Sequence, residues 1–342
     1  MKRSLILAAV ATLASGTALA QSSVTVYGRL NVSAERQKVV NATTGVEQDV
    51  SAIQNSASRI GFKGTEDLGG GLKAFFLIES GFSPDTGAAS STFWGRESNV
   101  GLMGDFGKFR IGNMGPTAAY FALADYISNH NHDTGTSEDA LYLYPGNARN
   151  MVAYATPSIA GFSGEVQYGL KETGAKNTGV LRADYDAGPL HVGIGYVNGP
   201  IFFPGAGGTN AGKEFGIRGL YEMGPLTFGA YYINDKGDNV PLFGSIKRNS
   251  FRASVMYVMG ASEFHLNVGK AGKLKADAGD IAGSDATQAT IAYNYNLSKR
   301  TKVYAFYTKL GGDGAPAYAV SNADFGNGGV KNSFAVGVRH NF

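Results

Sequence analysis

The sequence predicts an all-β fold, a closed antiparallel barrel of 16 transmembrane strands. Three observations carry that reading. Among 342 residues there are 49 Gly, 18 Tyr and 20 Phe, with charged residues at 17% and no Cys. The Gly share is about twice the usual one, as many short strands and tight turns require. Apolar and polar residues alternate with a period of two through most of the chain, the mark of strands with one apolar face. The uncharged stretch 187–212 is broken repeatedly by Gly and Pro, so no helix of spanning length fits it. A closed barrel is the remaining way to satisfy every backbone group in lipid.

The chain opens with Lys2 and Arg3, an apolar run from Leu5 to Leu13, and Ala18-Leu19-Ala20. This reads as a secretory signal peptide over 1–20, with 21–342 as one barrel domain. The absence of Cys excludes disulfide scaffolds, thiolate metal sites and thiol nucleophiles. A net charge of +3 gives no reason to expect nucleic acid as a partner.

The first strand sets Val24, Val26, Gly28, Leu30 and Val32 against Thr25, Tyr27, Arg29, Asn31 and Ser33. Ile60 and Phe62 then oppose Arg59 and Lys63, and Leu72, Ala74, Phe76 and Ile78 oppose Lys73, Phe75 and Glu79. Less regular strands are expected over 93–103, 108–112 and 302–308, and a strand over 149–156 brings the count to 16. Alternation returns around Val166, Leu181, Ile194, Ile217, Phe228, Val255, Leu266 and Ile291, and closes with Phe334, Val336, Val338, His340 and Phe342. Registered by the apolar positions, the opposite face carries Arg29, Arg59, Lys63, Lys73, Lys108, Arg110, Arg149, Lys171, Arg182, Arg218, Arg252 and Arg339. Glu79, Glu165, Asp184, Glu214 and Glu263 share it. A charge on the lipid side would cost roughly 2–4 kcal/mol at mid-depth, so this separation suits a membrane wall.

Connections alternate between short and long. Short ones fall at 65–71, 104–107, 157–161, 187–189, 223–225, 259–261 and 297–300. Long ones fall at 34–57, 83–92, 113–148, 172–179, 198–213, 234–249, 270–287 and 309–332. Short periplasmic turns and long extracellular loops are the asymmetry of outer-membrane barrels. A barrel of this strand number is too wide for side chains to fill. Tyr154, Phe162, Tyr168, Tyr185, Tyr221, Tyr257, Tyr293 and Tyr295 are expected in the interfacial girdles.

Over nearly its full length the chain resembles the Gram-negative general porins of the β-proteobacterial type. The resemblance rests on Ser23-Val24-Thr25-Val26-Tyr27-Gly28 and the run from Ser58 through Lys63-Gly64-Thr65-Glu66-Asp67-Leu68-Gly69-Gly70-Gly71 to Ala74. Val100-Gly101-Leu102, Asn150-x-Val152-x-Tyr154, Leu297-Ser298-Lys299-Arg300-Thr301 and the ending Gly337-Val338-Arg339-His340-x-Phe342 add to it. It implies a homotrimeric diffusion pore in outer-membrane lipid and lipopolysaccharide, passing ions and small hydrophilic solutes, without cofactor or catalysis. It also implies a third loop, 113–148, folded inward, with Asp125, Asp133, Glu138 and Asp139 facing a basic wall of Arg59, Arg96 and Arg149. Arg29, Lys63, Lys73, Glu79, Lys108 and Arg110 supply further lumen charge. Phe342 resembles the terminal signal read by the barrel assembly machinery. The family often has Asp where this chain has Asn31 and Arg where it has Asn113, so selectivity does not transfer from relatives. Basic residues outnumber acidic ones on the inward face, which predicts a weak preference for anions.

Three other functions compete. An enzyme would need a nucleophile and base, yet G-x-S-x-G is absent and only 5 His occur. His130-x-His132 with Asp133 reads as solvated loop sequence rather than a metal site. A surface adhesin could use the polar loops 34–57 and 309–332. A substrate-specific channel would want an aromatic track, for which Tyr27, Phe75, Tyr120 and Tyr231 are the candidates.

Overall fold

A computed structural model describes residues 23–41, 45–114, 139–143, 149–170, 177–202, 209–240, 243–312 and 329–342. The signal-peptide segment 1–20, Lys171, and the third-loop residues Asp125, Asp133 and Glu138 lie outside the described residues. So do Tyr120, His130 and His132.

Sixteen strands form the wall. They are β1 (Ser23–Val40), β2 (Arg59–Gly69), β3 (Leu72–Ser83), β4 (Glu97–Gly104), β5 (Gly107–Asn113), β6 (Met151–Ala155), β7 (Phe162–Gly169) and β8 (Thr178–Ala187). The second half holds β9 (Leu190–Phe202), β10 (Thr209–Met223), β11 (Leu226–Val240), β12 (Gly244–Met259), β13 (Ser262–Ala271), β14 (Ala286–Asn296), β15 (Thr301–Gly311) and β16 (Gly329–Asn341). Each pairs antiparallel with its sequence neighbour. The sheet closes because β1 pairs with β2 over Ser23–Arg29 and with β16 over Arg29–Val40. Backbone bonds between Gly28 and Phe342, at 3.0 and 3.1 Å, complete the seam.

The short turns lie on one rim, with Ser23 and Phe342. Gly69, Gly70 and Gly71 all have positive φ there (85°, 60° and 82°), a conformation open to Gly without a steric cost. Several outer connections are shorter than the patterning suggests. The strands run on past the apolar band, so the expected loops 198–213 and 234–249 are largely ladder, and the first loop folds as a hairpin of β1 with Glu47–Asn55. Outward positions there are polar, which ends the hydrophobic alternation without ending the backbone pairing. On that hairpin the ammonium groups of Lys331 and Lys38 hold the Glu47 carboxyl below its ordinary value. The strand expected from Phe93 begins instead at Glu97, because a turn closes with Gly95 N–H donating to Thr92 O at 3.0 Å.

Cross-strand register fixes the two faces. Val24, Leu102, Val166, Leu181, Phe228, Leu266, Ile291 and Val336 are exposed on the outer surface. Asn31, Gln167, Arg218, Arg252, Asn267 and Thr290 are buried on the inner one. Apolar packing also occurs inside. Leu143 of the third loop is buried with Ile201, Val240, Ile246 and Leu274, and Leu141 with Ala271, Ala286 and Leu310. The end of the third loop is therefore packed against the inner wall of β9–β15.

Candidate functional site: the lumen

One side of the lumen is basic. Arg29 and Arg59 are register partners across β1 and β2. Glu79 on β3 accepts from Arg96 Nε at 2.5 Å and from the Tyr27 hydroxyl at 2.9 Å, with Arg59 Nε at 3.7 Å. The single Glu79 charge thus faces two guanidinium groups. On β5, Arg110 reaches Glu165 at 2.5 Å and Glu97 at 3.6 Å.

The lysines of this wall are held differently. Lys63 Nζ lies 5.1 Å from the centroid of the Tyr27 ring, and Lys108 Nζ lies 4.2 Å from that of Phe75, both within cation–π range. Lys73 and Lys108 are both register partners of Met103, so they share one inward row. Among the described residues, Lys63, Lys73, Lys108 and Arg149 make no close ion pair, although Asp67 stands directly across the ladder from Lys73.

The other side is a network of paired charges, and it corrects the expected role of Asp139. Asp139 does not face Arg59 and Arg149 across open water. Its Oδ1 accepts from Arg252 Nη2 at 2.6 Å and its Oδ2 from the Tyr231 hydroxyl at 2.5 Å. It also accepts backbone N–H bonds from Leu141 at 3.0 Å and Tyr142 at 3.2 Å. Asp139 is only 3% exposed and Arg252 is fully buried. A buried carboxylate takes the partner that satisfies its lone pairs. Beside it, Arg248 Nη2 donates to Asp235 at 2.9 Å and to Leu141 O at 2.8 Å. The Tyr142 hydroxyl donates to Glu214 at 2.8 Å. Together these bonds clasp residues 139–142 to β10, β11 and β12.

Sequence reasoning missed Arg248, Asp235 and Tyr142. Arg248 and Asp235 continue the inward parity of Arg252 and Tyr231, but the intervening inward Ile233 hides the pattern. No continuous aromatic track runs along the described lumen. Tyr27 and Phe75 lie beneath lysines, and Tyr231 is 2% exposed under Asp139. No group of His and acidic residues with metal-holding geometry occurs among the described residues. His191 Nδ1 lies 2.7 Å from Asp186, and His340 Nδ1 2.8 Å from Thr301 Oγ1. Phe342 rests its ring on Gly28, at the seam.

Comparison with known proteins agrees with this architecture. A family described as Gram-negative porin matches residues 7–315. Outer membrane porin protein 32 of Delftia acidovorans is 31% identical over 369 residues, covering 100% of both chains. A major outer membrane protein P.IB of Neisseria gonorrhoeae is 30% identical over 382 residues, again covering 100% of both. Among solved structures, the anion-selective porin from Comamonas acidovorans superposes with a TM-score of 0.72 at 26% identity, over 94% of this chain and 100% of that one. The trimer form of OmpT of Vibrio cholerae shares the fold, with a TM-score of 0.66 at 20% identity over 94% and 99%. A sealed wall with a wet interior and a match over most of its length lead to one conclusion: this chain belongs to the Gram-negative porin family, the channel-forming barrels of the outer membrane.

Proposed function

We propose that the barrel is a passive diffusion channel for ions and small hydrophilic solutes with a weak preference for anions. The observation that carries this is the β1–β5 wall, where Lys63 and Lys108 lie against aromatic rings without a close ion pair while Glu79 is shared by two arginines. The one described acid of the third loop, Asp139, is spent on Arg252. The lumen field is therefore positive on one side and close to neutral on the other, which attracts anions and orients polar solutes. Arg59 and Arg96 form the inner basic edge, with Arg149 exposed at the base of β6. The anion-selective name of the Comamonas porin fits this reading. Reversal potential across a planar bilayer in a potassium chloride gradient tests it, and clear cation preference would overturn it.

The channel reading also takes in the partners. The Tyr girdle is carried by β6–β12, β14 and β15, through Tyr154, Tyr168, Tyr185, Tyr196, Tyr221, Tyr232, Tyr257, Tyr293, Tyr295 and Tyr307, whereas β16 and β1–β5 present no outward Tyr. Tyr belongs at the lipid interface, so the Tyr-free face centred on β1–β4 is the one buried in a homotrimer. Cross-linking from Val26 or Phe76 should join protomers, and cross-linking from Tyr257 should not. Residues 1–20 act as the export signal. Phe342 serves the assembly machinery as well as the seam.

A further inference from the structure

The turn-side mouth of the barrel holds a pocket that the selectivity wall does not include. It has a volume of about 420 Å³ and lies on the inner side of β14, β15 and β16, beside the turn that joins β14 to β15. Lys299, Arg300, Lys302 and Arg339 line it together with Asn296 and Asn341, and no acid lines it among the described residues. Small-molecule sites run from about 300 to 1,000 Å³, so an organic solute fits this volume better than a bare ion does.

The turn is held in one shape. Ser298 N–H donates to Thr301 O at 3.1 Å, and Ser298 Oγ accepts from the N–H groups of Arg300 at 3.1 Å and Thr301 at 3.0 Å. The N–H of Asn341 donates to Arg300 O at 2.8 Å, which ties the turn to β16. These backbone groups are used internally, so the side chains of Lys299 and Arg300 are what the turn presents. Both are exposed, and neither makes an ion pair among the described residues. Next to the turn, Lys302 and Arg339 are direct ladder partners, which sets their Cα atoms about 5 Å apart. Like charges placed directly opposite on one face destabilise a sheet. Glu263 answers Lys302 at 3.1 Å, but it also accepts from the amides of Asn294 at 2.8 Å and Asn296 at 2.6 Å. One carboxylate set back on β13 thus faces a lining of four cations. Half the barrel away, on β8–β10, Asp186 and Glu222 lie 2.7 and 3.9 Å from the His191 ring nitrogens. The excess of cations is confined to the β14–β16 side of the mouth.

We propose that this pocket is a solute site at the periplasmic mouth of the channel, for a polyol carrying one phosphomonoester group. Lys302 and Arg339 occupy one ladder step, so both reach a single doubly charged head, whereas two separate carboxylates would call for cations set apart. A guanidinium fork beside an ammonium point charge suits the oxygens of a phosphate. Lys299 and Arg300 add charge to the same pocket from the turn. Asn296 donates to Glu263 and Asn341 accepts from Arg29 Nε at 3.1 Å, which leaves Asn296 Oδ1 as an acceptor and Asn341 Nδ2 as a donor for hydroxyl groups. The inference rests on the channel reading for solute access, and ion preference on the β1–β5 wall does not enter it.

The test is titration calorimetry on the intact barrel in detergent at 0.1 M salt, with four probes: glycerol 3-phosphate, glycerol, inorganic phosphate and succinate. Glycerol 3-phosphate should bind the parent, and K299Q/R300Q should bind it about 25-fold less well, about fivefold for each cation at about 5 Å from a doubly charged group. Both side chains are exposed on the turn, so this variant should fold as the parent does. K299R/R300K keeps both charges and should restore binding. K63Q/K73Q/K108Q should still bind glycerol 3-phosphate, which separates the pocket from the selectivity wall. Equal binding by the parent and K299Q/R300Q, or loss of binding in K63Q/K73Q/K108Q, would overturn the proposal. So would glycerol, inorganic phosphate or succinate binding as tightly as glycerol 3-phosphate. Reversal potential in a potassium chloride gradient reads the channel separately: anion preference without glycerol 3-phosphate binding refutes the pocket and leaves the channel standing.

Discussion

Replacing Lys63, Lys73 and Lys108 together, as K63Q/K73Q/K108Q, removes three wall cations that make no close ion pair among the described residues. An ion near the pore axis passes each at about 10 Å, where the interaction in water is about 0.4 kcal/mol. At 0.1 M salt one Debye length of screening reduces that to about 0.15 kcal/mol. An anion loses this attraction and a cation loses an equal repulsion, so each lysine shifts the difference by about 0.3 kcal/mol. Three shift it by about 0.9 kcal/mol, roughly fivefold in the anion-to-cation permeability ratio. The assay is reversal potential in a salt gradient, and the shift should nearly vanish at 1 M salt, where the Debye length is about 3 Å. The control is D139N/R252Q, which removes a pair that is already neutral and should leave selectivity unchanged. A triple variant with the parent's reversal potential at 0.1 M would refute the idea that these lysines set the field.

E79Q works in the opposite direction. It frees Arg59 and Arg96 from their shared carboxylate and should raise the anion ratio about 1.7-fold at 0.1 M salt, read by the same reversal potential. D139A leaves Arg252 buried without its acid and should cost about 3–5 kcal/mol locally. It should appear as increased open-channel noise and a lower unfolding temperature, and D139A/R252M should recover much of the loss. G337V forces a side chain into the Tyr304 ring that covers Gly337, an overpacking cost of about 1–3 kcal/mol. The barrel should lose its folded band on unheated gels at a lower temperature. Deleting Phe342 removes its two backbone bonds to Gly28. Less protein should reach the outer membrane, while any channels that form should conduct as the parent does.

The wall was legible because period two is a local signal. Ile60 against Arg59, or Leu266 against His265, states which side faces lipid without reference to any other strand. The extent of the strands was less legible. Above the apolar band Asn234 and Lys236 replace outward apolar residues, so pairing continues where hydrophobic alternation has stopped. The clasp was the least legible part. Asp139 and Arg252 stand 113 residues apart, and nothing near either one in sequence names the other. Inward apolar residues such as Ile233 and Ile246 obscured it further. They look like lipid-facing residues out of phase, yet they line the inner wall where the third loop packs.

Two sets of lysines in one sheet face opposite ways only because of parity. Lys63 and Lys108 occupy inward positions within the apolar band, where an outward cation would cost roughly 2–4 kcal/mol at mid-depth. Lys213, Lys236 and Lys247 occupy outward positions, and each appears only after the last outward aromatic of its strand. The change from aromatic to lysine therefore marks the top of the membrane in the sequence itself. A slip of one residue in register would exchange the two sets, putting charge into lipid and phenyl rings into water. The energetic penalty that keeps the barrel in register is thus the same one that sorts its cations, some toward passing solutes and some outward above the apolar band.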